Sequence, residues 1–207
     1  MFREKTGAFR KALKKHAVFE FIDAPHVPEI PNQTNEDERN VPRAWWFSKE
    51  EKTFSSRDET QIATGFENSL NEVLKHIDAN GPYDGIMGFS QGASMTHLLA
   101  TVNQRIRCAN NGESGLFKFI IIVAGFKSLS SVHDEHNAVA IKNIPSLHIY
   151  GTGDEIVHHS RSQDLANVFA EPQPKVAMHG GGHCVPPLSK IKAEVIEFLE
   201  GVRSVVN

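Results

Sequence analysis

The sequence predicts an α/β fold, a mostly parallel sheet with helices on both faces, and three observations predict it. Strand-type apolar runs alternate with helical periodicities along the chain. One run, Phe119-Ile120-Ile121-Ile122-Val123, is apolar without a break, the pattern of a strand covered on both faces. Residues able to do chemistry follow directly after runs of this kind, at the carboxyl ends where such sheets gather their sites. At 207 residues, with 40% hydrophobic and 23% charged residues, the chain suits one domain over 1–207 rather than a disordered or fibrous protein.

The elements follow in order. Phe2, Phe9, Ala12 and Leu13 recur near helical spacing among Arg3, Lys5, Arg10, Lys11, Lys14 and Lys15, which reads as an amphipathic helix of the fold. A secretory signal would need an apolar stretch after those charges, and Glu4 is unusual in a mitochondrial presequence. Val18–Ile22 is a short strand pattern, and the polar, proline-punctuated stretch from Pro28 to Arg43 is a loop. Ile62, Phe66, Leu70, Val73, Leu74 and Ile77 form one face of a helix starting at Thr60 and stopped by Asn80-Gly81-Pro82. Tyr83–Phe89 is a strand, Gln91–Thr101 a helix, Phe117–Ala124 a strand and Ser146–Tyr150 another. Ser160–Phe169 is a helix with Gln163 in capping-box spacing, Lys175–Met178 a final strand, and Ile191–Val202 a closing helix.

Three strand ends carry candidate catalytic residues. Gly88-Phe89-Ser90-Gln91-Gly92, between a strand and a helix, is a sharp turn that lifts a serine oxygen clear of the backbone, with glycines where a side chain would collide. The Gln91 N–H, at the helix start, is the expected oxyanion donor. Asp154, after Leu147-His148-Ile149-Tyr150-Gly151, can accept from an imidazole and fix its tautomer, with Glu155 a weaker competitor. His183 follows three glycines that let a loop approach the serine, and His179 is the alternative base. The order Ser90, Asp154, His183 is that of α/β-hydrolases. Trp45, Trp46 and Phe47 are candidate substrate-binding residues of an acyl site or lid, or else anchors of the loop on the core. Cys184 reads as a small buried filler.

The same residues exclude several classes. A net charge of −3 offers no general attraction for nucleic acid. No apolar run reaches the roughly 20 residues that span a bilayer. Two cysteines make no disulfide framework and suit a reducing cytoplasm. His133-Asp134-Glu135-His136 and His158-His159 match no standard zinc spacing, so no metal is expected. A small-molecule ester is the expected partner; an acyl-thioester, or binding without catalysis on a hydrolase scaffold, are the alternatives.

Several segments, read together, resemble the FSH family of serine hydrolases, in its ovarian-cancer-associated esterase branch. They are Phe2-Arg3-Glu4-Lys5-Thr6-Gly7, Arg43-Ala44-Trp45-Trp46-Phe47, Tyr83 through Ala93, Phe119 through Phe126, Pro145-Ser146-Leu147-His148 into Gly151 and Asp154, and Gly181-Gly182-His183 with Pro186. The resemblance implies hydrolysis of carboxylic esters with long alkyl or acyl chains, no cofactor, and Ser90, Asp154 and His183 as nucleophile, acid and base. In that family a β-strand precedes the segment matched by Phe2; it lies between the strands matched by Val18–Ile22 and Tyr83–Phe89, and its loop gives a second oxyanion N–H. Met1 stands directly before Phe2 here, so the resemblance implies lower activity and stability than for a form extended by that strand.

Overall fold

A computed structural model describes residues 2–29, 41–112 and 115–206. In chain order the elements are α1 (Phe2–Lys5), α2 (Gly7–Leu13), α3 (Phe66–Asn80), β1 (Gly85–Phe89), α4 (Gln91–Ala109), β2 (Phe119–Val123), α5 (Asp134–Asn137), β3 (Ile141–Lys142), β4 (Ser146–Gly151), α6 (His159–Ala166), β5 (Phe169–Glu171), β6 (Lys175–His179) and α7 (Lys192–Val206). Four strands form a parallel sheet in the order β1-β2-β4-β6, and β3 pairs with β5 in a separate parallel pair.

Side chains alternate across the sheet, and each face has its own core. Ile120 and Ile122 of β2 join Val73 of α3, Leu98 and Leu99 of α4 and Leu165 of α6 on one side. Ile121 and Val123 join Phe9 and Leu13 of α2 with Val195, Phe198 and Leu199 of α7 on the other. Burial on both faces is why β2 reads as an unbroken apolar run. This is the α/β-hydrolase layering, a mostly parallel sheet between helices.

The structure departs from the sequence expectations in several places. The first helix pattern is two helices, because the buried Thr6 turns its hydroxyl back to the Phe2 carbonyl at 3.0 Å and interrupts the run. Val18–Ile22 has no regular structure and forms no ladder, and Val18 is 99% exposed. Among the described residues no strand lies beside it, and a strand without a partner has no ladder to join. The segment is held instead by Phe21, which packs edge-on to Phe2 and beneath the Arg10 guanidinium.

The helix expected from Thr60 begins at Phe66, since Phe47 pairs with Thr64 and Thr60 with Ser130. Gly65 then turns at φ 91°, where a Cβ would meet His26 Nε2 at 2.4 Å. The helix expected over Ser160–Phe169 ends at Ala166, because Phe169 enters β5. Its cap is the His158 ring, which accepts from the Ser160 N–H, while Gln163 accepts from the Tyr150 hydroxyl instead of closing a capping box. Of the loop expected over Pro28–Arg43, residues 30–40 lie outside the described residues.

Candidate active site

Ser90 occupies the turn between β1 and α4 at φ 55°, a left-handed conformation that a serine adopts only when its surroundings impose it. Its N–H donates to the Val123 carbonyl at 3.0 Å, which ties the turn to the neighbouring strand. The flanking glycines have different reasons. A Cβ on Gly88 would lie 2.2 Å from the Gly92 carbonyl oxygen, so strand and helix backbones touch there. A Cβ on Gly92 would meet the Trp45 indole Nε1 at 3.3 Å. The Gln91 N–H opens α4, where no preceding helical turn supplies an acceptor.

Asp154 and His183 reach the same point from two other strand ends. The Asp154 side chain is fully buried in the turn after β4, where Oδ1 accepts from the Ile156 and Val157 N–H groups at 2.9 and 2.8 Å. Its Oδ2 lies 2.7 Å from His183 Nδ1, and His183 Nε2 lies 2.9 Å from Ser90 Oγ. A carboxylate only accepts, so Nδ1 carries the hydrogen and Nε2 presents its lone pair to the serine hydroxyl. The ring packs against Phe89 at 4.8 Å, and Phe89 stacks on Phe2.

The loop after β6 is built to deliver His183. His179 Nδ1 accepts the Gly181 N–H at 3.1 Å, and the Gly153 N–H donates to the Gly181 carbonyl at 3.2 Å. His179 thus supports the loop while His183 meets the serine. Burial lowers the pKa of His179, against the opposing pull of the Asp154 charge. Glu155 is exposed, and its backbone carbonyl accepts from the Arg57 guanidinium, while the imidazole bonds to Asp154.

Of the three aromatics, Trp46 and Phe47 are buried, at 1% and 4% exposure, and Trp45 keeps accessible surface beside α4. Trp46 packs edge-on to Phe54, Phe66 and His133, which is the anchoring arrangement. It also edges a small open cleft with Phe54, Phe126, Ser128 and Leu129. Cys184 is exposed, not a buried filler: the glycine loop carries it on the rim, outside both cores. His133 pairs with Ser128, His136 with Thr101 and His158 with Ser160. Among the described residues no group of three or more His, Cys, Asp or Glu is placed to hold a metal ion. No described helix is long and apolar enough to cross a membrane.

Sequence reasoning missed two features. One is the Gln91 side chain, whose Oε1 accepts the Trp45 N–H at 2.9 Å and whose Nε2 donates to the Trp46 carbonyl at 2.8 Å. The other is the burial of His97 and His148, whose pKa values desolvation pushes down to about 3.

The serine hydrolase (FSH1) family model matches residues 1–195. Esterase C25G4.2 of Caenorhabditis elegans is 44% identical over 201 residues, covering 96% of this chain and 86% of that protein. Esterase OVCA2 of Danio rerio is 36% identical over 211 residues, covering 96% and 90%. The crystal structure of esterase PE8 is similar at a TM-score of 0.57 and 20% identity, over 97% of this chain and 86% of that one, a likeness of fold.

Proposed function

We propose, for a chain that belongs to the serine hydrolase (FSH1) family, that it cleaves carboxylic esters of long alkyl or acyl chains through Ser90, His183 and Asp154. Membership and the esterase relatives make the chain a carboxylic-ester hydrolase; the residues and the substrate class are our reading. The observation that carries it is one imidazole hydrogen-bonded at once to a serine hydroxyl, at 2.9 Å, and to a buried carboxylate, at 2.7 Å.

In this mechanism Ser90 Oγ attacks the ester carbonyl carbon while His183 Nε2 takes its proton. Asp154 keeps the imidazole in the required tautomer and stabilises the imidazolium. The oxyanion accepts from the Gln91 N–H, whose position at the start of α4 adds the favourable helix dipole. The tetrahedral intermediate collapses as His183 gives its proton to the leaving alcohol, and an acyl-serine remains. Water, deprotonated by the same imidazole, then attacks the acyl carbon and releases the acid and free Ser90. The half-buried Trp45 beside Gly92 supports an apolar chain as part of the substrate.

The test is covalent labelling by a fluorophosphonate. Ser90→Ala abolishes labelling and ester turnover while the circular dichroism spectrum is retained; persistent labelling rejects Ser90. Turnover of acyl-thioesters beside oxygen esters of equal chain length separates esterase from thioesterase.

A further inference from the structure

Gln91 lies beside the nucleophile, and its backbone N–H alone accounts for the oxyanion role; its side chain has a separate structural task. The amide spans the Trp45–Trp46 peptide, accepting from the Trp45 N–H at 2.9 Å and donating to the Trp46 carbonyl at 2.8 Å. The Trp45 carbonyl is taken by Ser69 Oγ of α3. Three backbone polar groups of this loop are therefore fixed, two of them by a residue of the turn that carries Ser90. The Trp46 ring is driven into the core against Phe54, Phe66 and His133. That leaves Trp45 half-buried at the edge of the same core, with Nε1 3.3 Å from where a Cβ of Gly92 would stand, two residues from Ser90.

We infer that the Gln91 side chain is a positioning residue that sets Trp45 as the wall against which the substrate's apolar chain packs, and so determines chain-length selectivity. The inference rests on the esterase reading above and adds to it the residues that read the chain. A flexible loop would pay the entropy of ordering an indole each time a substrate bound; the double hydrogen bond from Gln91 removes that cost beforehand. An acetyl group is too short to profit from the wall, whereas each methylene that reaches the indole gains contact.

The experiment uses the full chain with p-nitrophenyl acetate and p-nitrophenyl decanoate. Gln91→Ala keeps the backbone N–H but releases the loop. The decanoate-to-acetate ratio of kcat/KM should fall by about tenfold, through KM for decanoate, on the scale a few lost apolar contacts give in a pocket. Trp45→Ala should lower the ratio equally, and the double variant should fall no further than either single one. A ratio unchanged in Gln91→Ala, or losses that multiply in the double variant, overturns the inference. If Gln91→Ala does not fold, Trp45→Ala with an unchanged ratio overturns it alone. Fluorophosphonate labelling of the unsubstituted chain separates the two levels. A labelled chain without chain-length selectivity refutes only the role of Gln91 and Trp45, whereas an unlabelled chain refutes the esterase reading and this inference with it.

Discussion

Replacing Asp154 by asparagine separates the chemistry of this carboxylate from its structural role. The side chain is fully buried; Oδ1 accepts from two backbone N–H groups at 2.9 and 2.8 Å, and Oδ2 from His183 at 2.7 Å. An asparagine can keep its carbonyl oxygen toward Ile156 and Val157, so the turn after β4 survives. Its NH₂ group then faces His183 Nδ1. Two N–H donors cannot share that position, so the imidazole shifts its hydrogen to Nε2, and the lone pair that must take the Ser90 proton is lost. A wrong tautomer of this kind costs about 10⁴ in kcat, or ~5.5 kcal/mol of activation free energy. The fold exchanges a charge-assisted hydrogen bond for a neutral one, a loss of about 1–2 kcal/mol, and Tm drops by only a few degrees. Asp154→Ala behaves differently, because two backbone donors and the Nδ1 hydrogen lose their acceptor at about 1–3 kcal/mol each. Ester turnover and thermal melting of both variants provide the measurement. An asparagine variant that turns over within about tenfold of the parent would refute the assignment of tautomer control to Asp154.

Gly88→Ala places a Cβ 2.2 Å from the Gly92 carbonyl and 2.5 Å from Thr96 Oγ1, so urea denaturation should show a loss of about 3 kcal/mol or more; a loss below ~1 kcal/mol would mean the turn can open. His179→Ala removes the acceptor of the Gly181 N–H and loosens the loop beneath His183, so kcat should fall about 10–100-fold, and an unaltered kcat counts against the support role. His97 and His148 stay neutral in the fold down to about 3, whereas in the unfolded chain each binds a proton near 6.5. The unfolded state then holds more protons below pH 6.5, so their contribution is complete above that value and is lost as pH falls toward 3. Urea midpoints measured from pH 7 to about pH 5 should decline accordingly, and a level profile refutes the burial of these rings as neutral groups.

The candidate site was legible because its chemistry constrains residue types at particular places. A serine between a strand and a helix, flanked by glycines, has few other uses, and the order of Ser90, Asp154 and His183 adds an independent constraint. The Gln91 clamp was not legible. The turn asks only for a backbone N–H at that position, so nothing local marks its side chain as the partner of a peptide some 45 residues earlier. The buried histidines were equally silent. Helix α4 is covered along the whole stretch from Ala93 to Thr101, so its sequence shows no polar face against which His97 would stand out.

Where the fold reading failed, nonlocal pairing had overridden local preference. Val18–Ile22 has the composition of a strand, yet a ladder requires a neighbour that composition cannot supply. Thr60–Thr64 continues a helical periodicity, yet the Thr64 carbonyl accepts from the Phe47 N–H, and Thr60 bonds to the Leu129 carbonyl and the Ser131 N–H, contacts across more than a dozen residues.

The topology explains why the glycines are where they are. Ser90 follows β1 and His183 follows β6, at opposite edges of the order β1-β2-β4-β6. Three strand spacings separate those edges by about 14 Å. The side chains of His183 and Ser90 span part of that gap, and the loop from His179 to His183, bent over 180–184, carries the imidazole across the end of β4, where the Gly153 N–H donates to the Gly181 carbonyl. There Gly151 lies beneath it, and a Cβ at that position would stand 2.1 Å from the Gly181 carbonyl. At Gly88 it is the backbones of β1 and α4 that touch, at the turn that presents Ser90. Glycine is required at 88 by the close approach of β1 and α4, and at 151 by the loop that carries His183 across the end of β4, so backbone contacts far from any reacting atom shape the candidate site.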